Sequence, residues 1–514
     1  MKFQRFRIIK ASKTERNKQE TGTEDFAMRK SMKRWIALGG AATMALSLVA
    51  CGGDGTESGK GNSGKVKSVN VTLPTVYDLP DAEKVEAEIN KIIEDKYGIH
   101  LELEFITSGN WLQQSNLLFT GDEADVIAAF MTPLTTYVKN GQFADLTEYY
   151  ANASDEFKEV WSEEEMKGTT VNGKIYAVPN LRNFGNILGL NIDEDIAAEF
   201  GIKNGQKLTM EEIDTFLRAA HEKYPDRYAL VPQGTDSMVN GWTWDGLGDE
   251  KYIGVLEDQG QNTEVKNLFE TDDFVEFCTW TRSWYQDGLI MQDILSNTQP
   301  FQTLIGNDQG IACFDNYSVN NVAGMIRTVV IDKWAQSNSY QALCYGINQN
   351  SKDKDAAWEA MEILYTDAEV ETLLTDGIEG THYVENEDGT ISFPEGKTAA
   401  DCGYGMAEGY WITPYSGETL PLDVNGPTFF EDLKTFNEET LKTKAFGFAF
   451  DTTNVVDQYS ACCNIMDKYY KALLAGTVDV ESTIAQANKE FEAAGLNDII
   501  KEKQKQLDAF LASE

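Results

Sequence analysis

Ser68-Val69-Asn70-Val71-Thr72-Leu73 carries its apolar residues, Val69, Val71 and Leu73, at every second position, the spacing of a strand buried on one face. Asp81, behind Pro80, then caps a run in which Val85, Ile89, Ile92 and Ile93 recur at helical spacing, and Gly98 ends it. Leu101, Leu103 and Phe105 alternate with His100, Glu102 and Glu104 as a second strand. An amphipathic helix over Trp111 to Phe119 leads through Gly121 to the apolar run Val126-Ile127-Ala128-Ala129-Phe130. Strands alternating with helices predict an α/β fold with a parallel sheet covered on both faces. Ligands of such sheets bind at the loops leaving the C-terminal ends of the strands. Those ends hold Tyr77 and Asp78, Ser108, and Phe130 to Thr132.

Upstream, the basic residues Arg29, Lys30, Lys33 and Arg34 precede an apolar run from Trp35 to Val49. At about 15 residues the run is shorter than the roughly 20 that span a bilayer, and it has the form of a secretory signal peptide. Cys51 directly after Leu48-Val49-Ala50 resembles a bacterial lipobox. The resemblance implies removal of residues 1–50 and a lipid on Cys51, which would hold the protein on the extracellular face of the cell membrane. Met1 to Phe26 fits no targeting segment, so Met28 or Met32 is the better start. Residues 51–65 hold no apolar side chain beyond Cys51 and are expected to be a flexible tether.

Cleavage before Cys51 leaves 464 residues, enough for two or three domains. The whole chain has a net charge of −39, and the first 50 residues hold 11 Lys or Arg against 4 Asp or Glu, so the mature chain stands near −46. That charge excludes nucleic acid as a partner and makes the protein soluble. With 25 Phe, 21 Tyr and 10 Trp it is too rich in aromatics for disorder. Cys278, Cys313, Cys344 and Cys402 are scattered, and Cys462 and Cys463 are adjacent on a helical stretch, so most cysteines read as small buried hydrophobes. No metal-ligand spacing, phosphate loop or catalytic signature appears, and neither a metal nor a cofactor is expected. Asn386-Glu387-Asp388-Gly389 is acidic enough for calcium but reads more simply as a hairpin turn.

Leu118-Phe119-Thr120-Gly121-Asp122-Glu123-Ala124-Asp125-Val126-Ile127 resembles a signature of the family 1 extracellular solute-binding proteins, the lipoprotein receptors of ABC importers. Two later landmarks follow in the family's order. Asn140-Gly141-Gln142-Phe143-Ala144-Asp145-Leu146 is similar to its Gly-x-Leu-x-x-Leu step. Val171-Asn172-Gly173-Lys174-Ile175-Tyr176-Ala177-Val178-Pro179 is similar to the strand that crosses to the second lobe, although Asn-Gly is also a hairpin turn in its own right. At Asn316 and Tyr317 the chain departs from the family's Gly and Trp. Asp376 to Tyr383 and Phe446 to Val455 resemble a Gram-positive, oligosaccharide-type branch with its own C-terminal domain.

The resemblance implies a two-lobe, periplasmic-binding-protein-like (type II) fold with parallel-rich sheets flanked by helices and a helical C-terminal region. Lobe 1 is expected over 66–179 and 340–376, and lobe 2 over 180–339 and 377–514. It implies a monomeric receptor that closes over a small ligand, most simply an oligosaccharide or sugar derivative, and passes it to ABC permease subunits. A surface-anchored carbohydrate-active enzyme and a peptide receptor are the alternatives.

A sugar cleft needs aromatic faces for C–H surfaces and planar polar groups for hydroxyls. The first lobe offers Tyr77, Asp78, Ser108 and Thr132, and the loop after Pro179 offers Arg182 and Asn183. The second lobe offers Trp242, Trp244, Asp245, Asp315 and Tyr317. Glu379, His382, Tyr383 and Trp411 come from the last third.

Overall fold

The computed structural model describes residues 66–512 except 235 and 323; the signal segment, Cys51 and the tether lie outside the described residues. Strand β1 (Lys67–Thr75) is followed by helix α1 (Ala82–Tyr97), strand β2 (Ile99–Thr107), helix α2 (Trp111–Leu118) and strand β3 (Val126–Phe130). The three strands are parallel, with Val71 opposite both Leu103 and Val126. Helix α1 buries Val85, Ile89 and Ile93 and stops at Gly98, whose φ of 68° is the left-handed conformation glycine adopts freely. Asp81 does not cap this helix through its side chain; its carboxylate pairs with Lys84 instead. Strands Leu343–Ile347 and Val178–Pro179 complete a five-stranded sheet, the former antiparallel to β3.

The second sheet is built on Asn186–Asp193. That strand pairs antiparallel with Gly310–Tyr317, Met325–Arg327 and Ile331–Ala335, while Tyr228–Leu230 and Leu441–Lys442 add parallel edges. Parallel-rich sheets were therefore half right: both sheets are mixed. Alternating apolar residues establish a strand's faces but not its direction, and here strands distant in sequence enter antiparallel beside earlier ones, Leu343–Ile347 against β3 and Gly310–Tyr317 against Asn186–Asp193.

Two hydrophobic cores divide the chain. The first holds Val69 to Phe184, Tyr340 to Leu374 and Tyr404 to Leu433; the second holds Leu188 to Phe314 and Ala445 to Leu507. The expected lobe boundary at 376 is corrected by this division. Tyr404, Met406, Ile412, Tyr415 and Phe429 fill the first core, and the chain passes to the second only between Leu433 and Ala445. The last three helices (Val456–Leu474, Val480–Ala494, Leu496–Leu511) belong to the second core.

The chain thus passes between the lobes three times, and the passages are hydrogen-bonded together. Asn186 pairs with Trp334, and Trp334 and Ala335 pair with Leu441 and Lys442. Gly185 permits this approach, since a Cβ there would lie 2.4 Å from Thr440 Cγ2 and 2.8 Å from the Trp334 carbonyl oxygen. Backbone cannot yield as a flexible side chain does. Gly185→Val is expected to cost about 1–3 kcal/mol of stability, read as a lower urea midpoint with an unchanged m-value.

Local signals held where the chemistry was local. Thr209 and Glu212 form a capping box, and Asn172 and Gly173, both with positive φ, turn a hairpin. Asp388 accepts hydrogen bonds from the amide and hydroxyl of Thr390 in a second hairpin, which pairs Val384–Glu385 with Ile391–Ser392. The six described cysteines are free thiols, five of them buried.

Ionisable side chains are buried in both lobes. Lys503, fully buried on the last helix, donates to the carbonyls of Gly246, Ile253 and Gly254 and to the Asp249 carboxylate. In the first lobe Glu371 and Asp376 are also buried, each with one carboxyl oxygen lacking a hydrogen-bond partner.

Candidate ligand-binding cleft

Strands β1, β2, β3 and Val178–Pro179 run in one direction, so their C-terminal ends share one edge of the first sheet. Along that edge the Tyr77 hydroxyl donates to the Glu408 carboxylate at 2.9 Å; burial, and then this anion, push the phenol up to about 12. Asp78 beside it is exposed. The Ser108 hydroxyl donates to the Thr75 carbonyl at 3.1 Å, tying the β2 and β1 loops together. Thr132 is half-buried and hydrogen-bonded to the Tyr137 phenol.

Between Phe130 and Thr132, Met131 has a φ of 58° and is 51% exposed. A non-glycine residue in this conformation, with its thioether in water, is where strain collects at ligand sites. This strain lies in the backbone dihedral of Met131 alone, and no residue type around it signals it.

Trp411 is brought to the same edge from the chain's last quarter. Its ring centroid lies 6.5 Å from that of Phe130, which also packs edge-on against Trp111. The Asn180 amide donates to the Trp411 and Thr413 carbonyls, and the Tyr345 hydroxyl to that of Ile412, so the 411–413 loop is fixed over the strand ends. Both rings stay partly exposed. Together they make an aromatic surface suited to the apolar face of a sugar.

The first passage between lobes contributes Arg182 and Asn183. The Asn183 amide donates to the Gly185 carbonyl and the Asn186 side chain, holding the turn. Arg182 lies close to Tyr410 and Cys344; burial lowers its pKa, and its Nε is buried without a hydrogen-bond acceptor.

From the second lobe, Asp315 stands near the end of strand Gly310–Tyr317, beside the passages. Its carboxylate accepts from Asn191 at 2.8 Å and Gln233 at 3.1 Å, with Arg327 at 3.7 Å. Burial raises its pKa against these partners. Just beyond, Val319 packs on the first core and Asn321 donates to the Val424 carbonyl, so this end of the second lobe meets the first.

Other candidates are withdrawn by their surroundings. Trp244 is 1% exposed and packs edge-on against Phe274 and Tyr252. Asp245 is fully buried and accepts from the amide and hydroxyl of Ser337 and the Leu247 amide. Their Gly-bounded loop looked exposed, but the bridge between Asp245 and Leu256 pins it into the second core. Trp242 lies 4.4 Å from Phe277, at the edge of that core. The Tyr317 ring is covered by the Arg327 guanidinium at 4.8 Å and its hydroxyl donates to Thr328, so no face is left for a sugar.

His382 is fully buried, its Nδ1 accepting from the Ile378 amide and its Nε2 lying 3.4 Å from Asp81. Burial lowers its pKa against the pull of Asp81. The ring fastens its loop to the start of α1. Tyr383 packs with Ile391 and Leu422 in a small separate core, while Glu379 in the same loop is exposed.

A cavity of about 460 Å³ lies against the passages and is walled by Trp161, Phe184, Tyr340, Tyr415 and Asn437. From the second sheet only Lys442, at its Leu441–Lys442 edge, lines this cavity, and the rest of its wall belongs to the first lobe and the passages.

Residues 444–512 match the model of a domain of unknown function, DUF3502. A carbohydrate ABC transporter substrate-binding protein from Streptococcus pneumoniae is 27% identical over 504 residues, covering 94% of this chain and all of that one. The diacetylchitobiose-binding protein DasA from Streptomyces coelicolor is 31% identical over 150 residues, 29% of this chain and 34% of that one. Among solved structures, the N-glycan transport solute-binding protein NgtS from Streptococcus pneumoniae superposes with a TM-score of 0.76 at 24% identity, over 87% of this chain and 99% of that one. Its complexes with Man1GlcNAc and Man5GlcNAc superpose at 0.69 and 0.65. The chain therefore has the type II solute-binding-protein fold and is a homologue of ABC-transporter substrate-binding proteins, with a DUF3502 C-terminal domain.

Proposed function

We propose that this chain is the capture subunit of an ABC import system and takes a glycan between its two lobes. The reading is carried by one arrangement: an aromatic pair, Phe130 and Trp411, at the strand ends of one lobe, beside hinge passages that lead to a polar strand end in the other. The full-length relative, named for carbohydrate transport, supports the same ligand class. Closure would be a hinge motion in which ligand touching both lobes shifts the population toward the closed form. A lipid on Cys51, an extracellular position on the cell membrane, permease partners and a monomeric state belong to this proposal, as does the absence of enzymatic turnover.

The test is a thermal-shift screen of the protein from residue 66 onward against mono-, di- and oligosaccharides. A ligand bound only by the folded state stabilises it by about 2.7 kcal/mol at a hundredfold excess over Kd. A shift with one sugar family, and recovery of that sugar intact, is the expected result. Turnover would make the protein an enzyme, and a shift with peptides alone would replace the ligand class. Trp411→Ala is expected to weaken glycan binding about tenfold, since an aromatic face is worth about 1–1.5 kcal/mol. The apo melting temperature should stay near wild type, because the ring is already partly exposed; calorimetric titration of both proteins decides the matter.

A further inference from the structure

Arg182 is a cation that the protein itself leaves unanswered. The chain has 83 Asp and Glu against 44 Lys and Arg, yet among the described residues no carboxylate lies within ion-pair distance of this guanidinium. Its Nε is buried without an acceptor, and its neighbours, the Tyr410 phenol and the Cys344 thiol, are neutral. Arg327, in the second lobe, is treated differently: Asp315 answers it at 3.7 Å, Asn191 accepts from its Nε, and it lies over the Tyr317 ring. Breaking one half of a buried pair is strongly unfavourable, so a guanidinium left in that condition by the fold marks a place where something else supplies the anion.

The placement fits a ligand. Arg182 follows strand Val178–Pro179 by three residues, at the edge where β1, β2 and β3 also end. The Asn437 side chain donates to the Arg182 carbonyl at 2.8 Å and fixes the backbone, while among the described residues the buried guanidinium Nε finds no acceptor. The aromatic pair of Phe130 and Trp411 is anchored to the same edge through Asn180, two residues earlier.

We infer that the cleft selects an acidic glycan, whose carboxylate pairs with the Arg182 guanidinium while a neighbouring ring lies on Phe130 and Trp411. A neutral hydroxyl would return only a hydrogen bond; a carboxylate matches the planar fork with two and neutralises the charge. The net negative charge opposes such a ligand at a distance, but over a screening length of about 8 Å at physiological ionic strength it does not act as a contact pair does. This inference rests on the carbohydrate reading above.

The experiment titrates trigalacturonate, sialyllactose and their carboxyl-reduced counterparts, with neutral oligosaccharides alongside, into wild type, Arg182→Gln and Arg182→Lys. The expected result is that wild type prefers at least one acid over its reduced form by tenfold or more. Arg182→Gln should bring the two within twofold while keeping the affinity for the reduced form, and Arg182→Lys should fall between. The apo Arg182→Gln protein should melt at or above the wild-type temperature, because it no longer holds an unpaired charge. Equal binding of acid and reduced sugar by wild type, or equal loss of both in Arg182→Gln, would overturn the inference and leave the glycan reading intact. Binding of no sugar at all would instead remove the glycan reading, and with it this one.

Discussion

Lys503→Met is expected to lower the unfolding free energy by about 3–5 kcal/mol, the range for removing one partner from a buried charged cluster. The ammonium lies 2.8 Å from the Ile253 carbonyl, 2.9 Å from that of Gly254, and 3.2 Å from both the Gly246 carbonyl and the Asp249 carboxylate. It also stands 4.9 Å over the Phe450 ring. Methionine can fill the space of the stem but returns none of these hydrogen bonds, so three carbonyls are left bare in a dry core. Asp249 fares better, for it keeps the Tyr459 hydroxyl at 2.6 Å and the amides of Lys251 and Ile253. Asp249→Asn should therefore cost less than Lys503→Met, and the double mutant should cost less than the sum. Urea unfolding of the four proteins of this cycle gives the answer. A Lys503→Met protein within 1 kcal/mol of wild type would mean that water replaces the ammonium.

Glu371→Gln should act in the opposite direction, and only in part of the pH range. Burial pushes the Glu371 carboxyl up to about 8 against the Glu418 amide, which donates to it at 3.3 Å. The folded state therefore keeps a proton that the unfolded chain releases above its ordinary value of 4.5. A group raised in this way lowers stability as pH climbs from about 4.5 to 8, because folding must recapture the proton. Glutamine has the neutral shape at every pH. The variant should match wild type near pH 4 and exceed it by roughly 4 kcal/mol at pH 8, at 1.36 kcal/mol for each unit of the shift. Asp376, also raised by burial, remains in the variant and leaves a residual slope. Melting curves at pH 4, 6 and 8 test this; a constant offset between the proteins would show that Glu371 does not titrate on folding.

Much of the first lobe was legible because its signals are local. The apolar alternation of Val69 to Leu73, the helical spacing from Val85 to Ile93 and the glycine at 98 each state a conformation within a few residues. The second lobe was less so. Strand direction depends on where a chain returns, and nothing in Ile311-Ala312-Cys313-Phe314 reveals that it lies antiparallel to Asn186–Asp193. The site divided along the same line. Strand ends follow from strands, so Tyr77, Ser108 and Thr132 could be placed at one edge. Trp244 and Asp245 could not be sorted from Trp411 by composition. Each lies in a loop rich in glycine and aromatics, and only the bridge to Leu256 sends the first pair into the core.

The division of each lobe between separated segments bears on the order in which the protein comes into being. A ribosome delivers residues 188–314 long before 445–507, yet both are needed to close the second core. Until helices Val480–Ala494 and Leu496–Leu511 have been synthesised, the carbonyls of Gly246, Ile253 and Gly254 lack their ammonium, Phe269 lacks the Phe491 ring that packs edge-on against it, and the Val265 amide lacks the Gln504 side chain that accepts from it. The first lobe can finish once Leu433 has emerged, while the second waits for Leu507. Nascent second-lobe chains are thus exposed to aggregation and to chaperones for the whole of translation, and a stop codon before 444 releases a protein with one finished lobe and one open one.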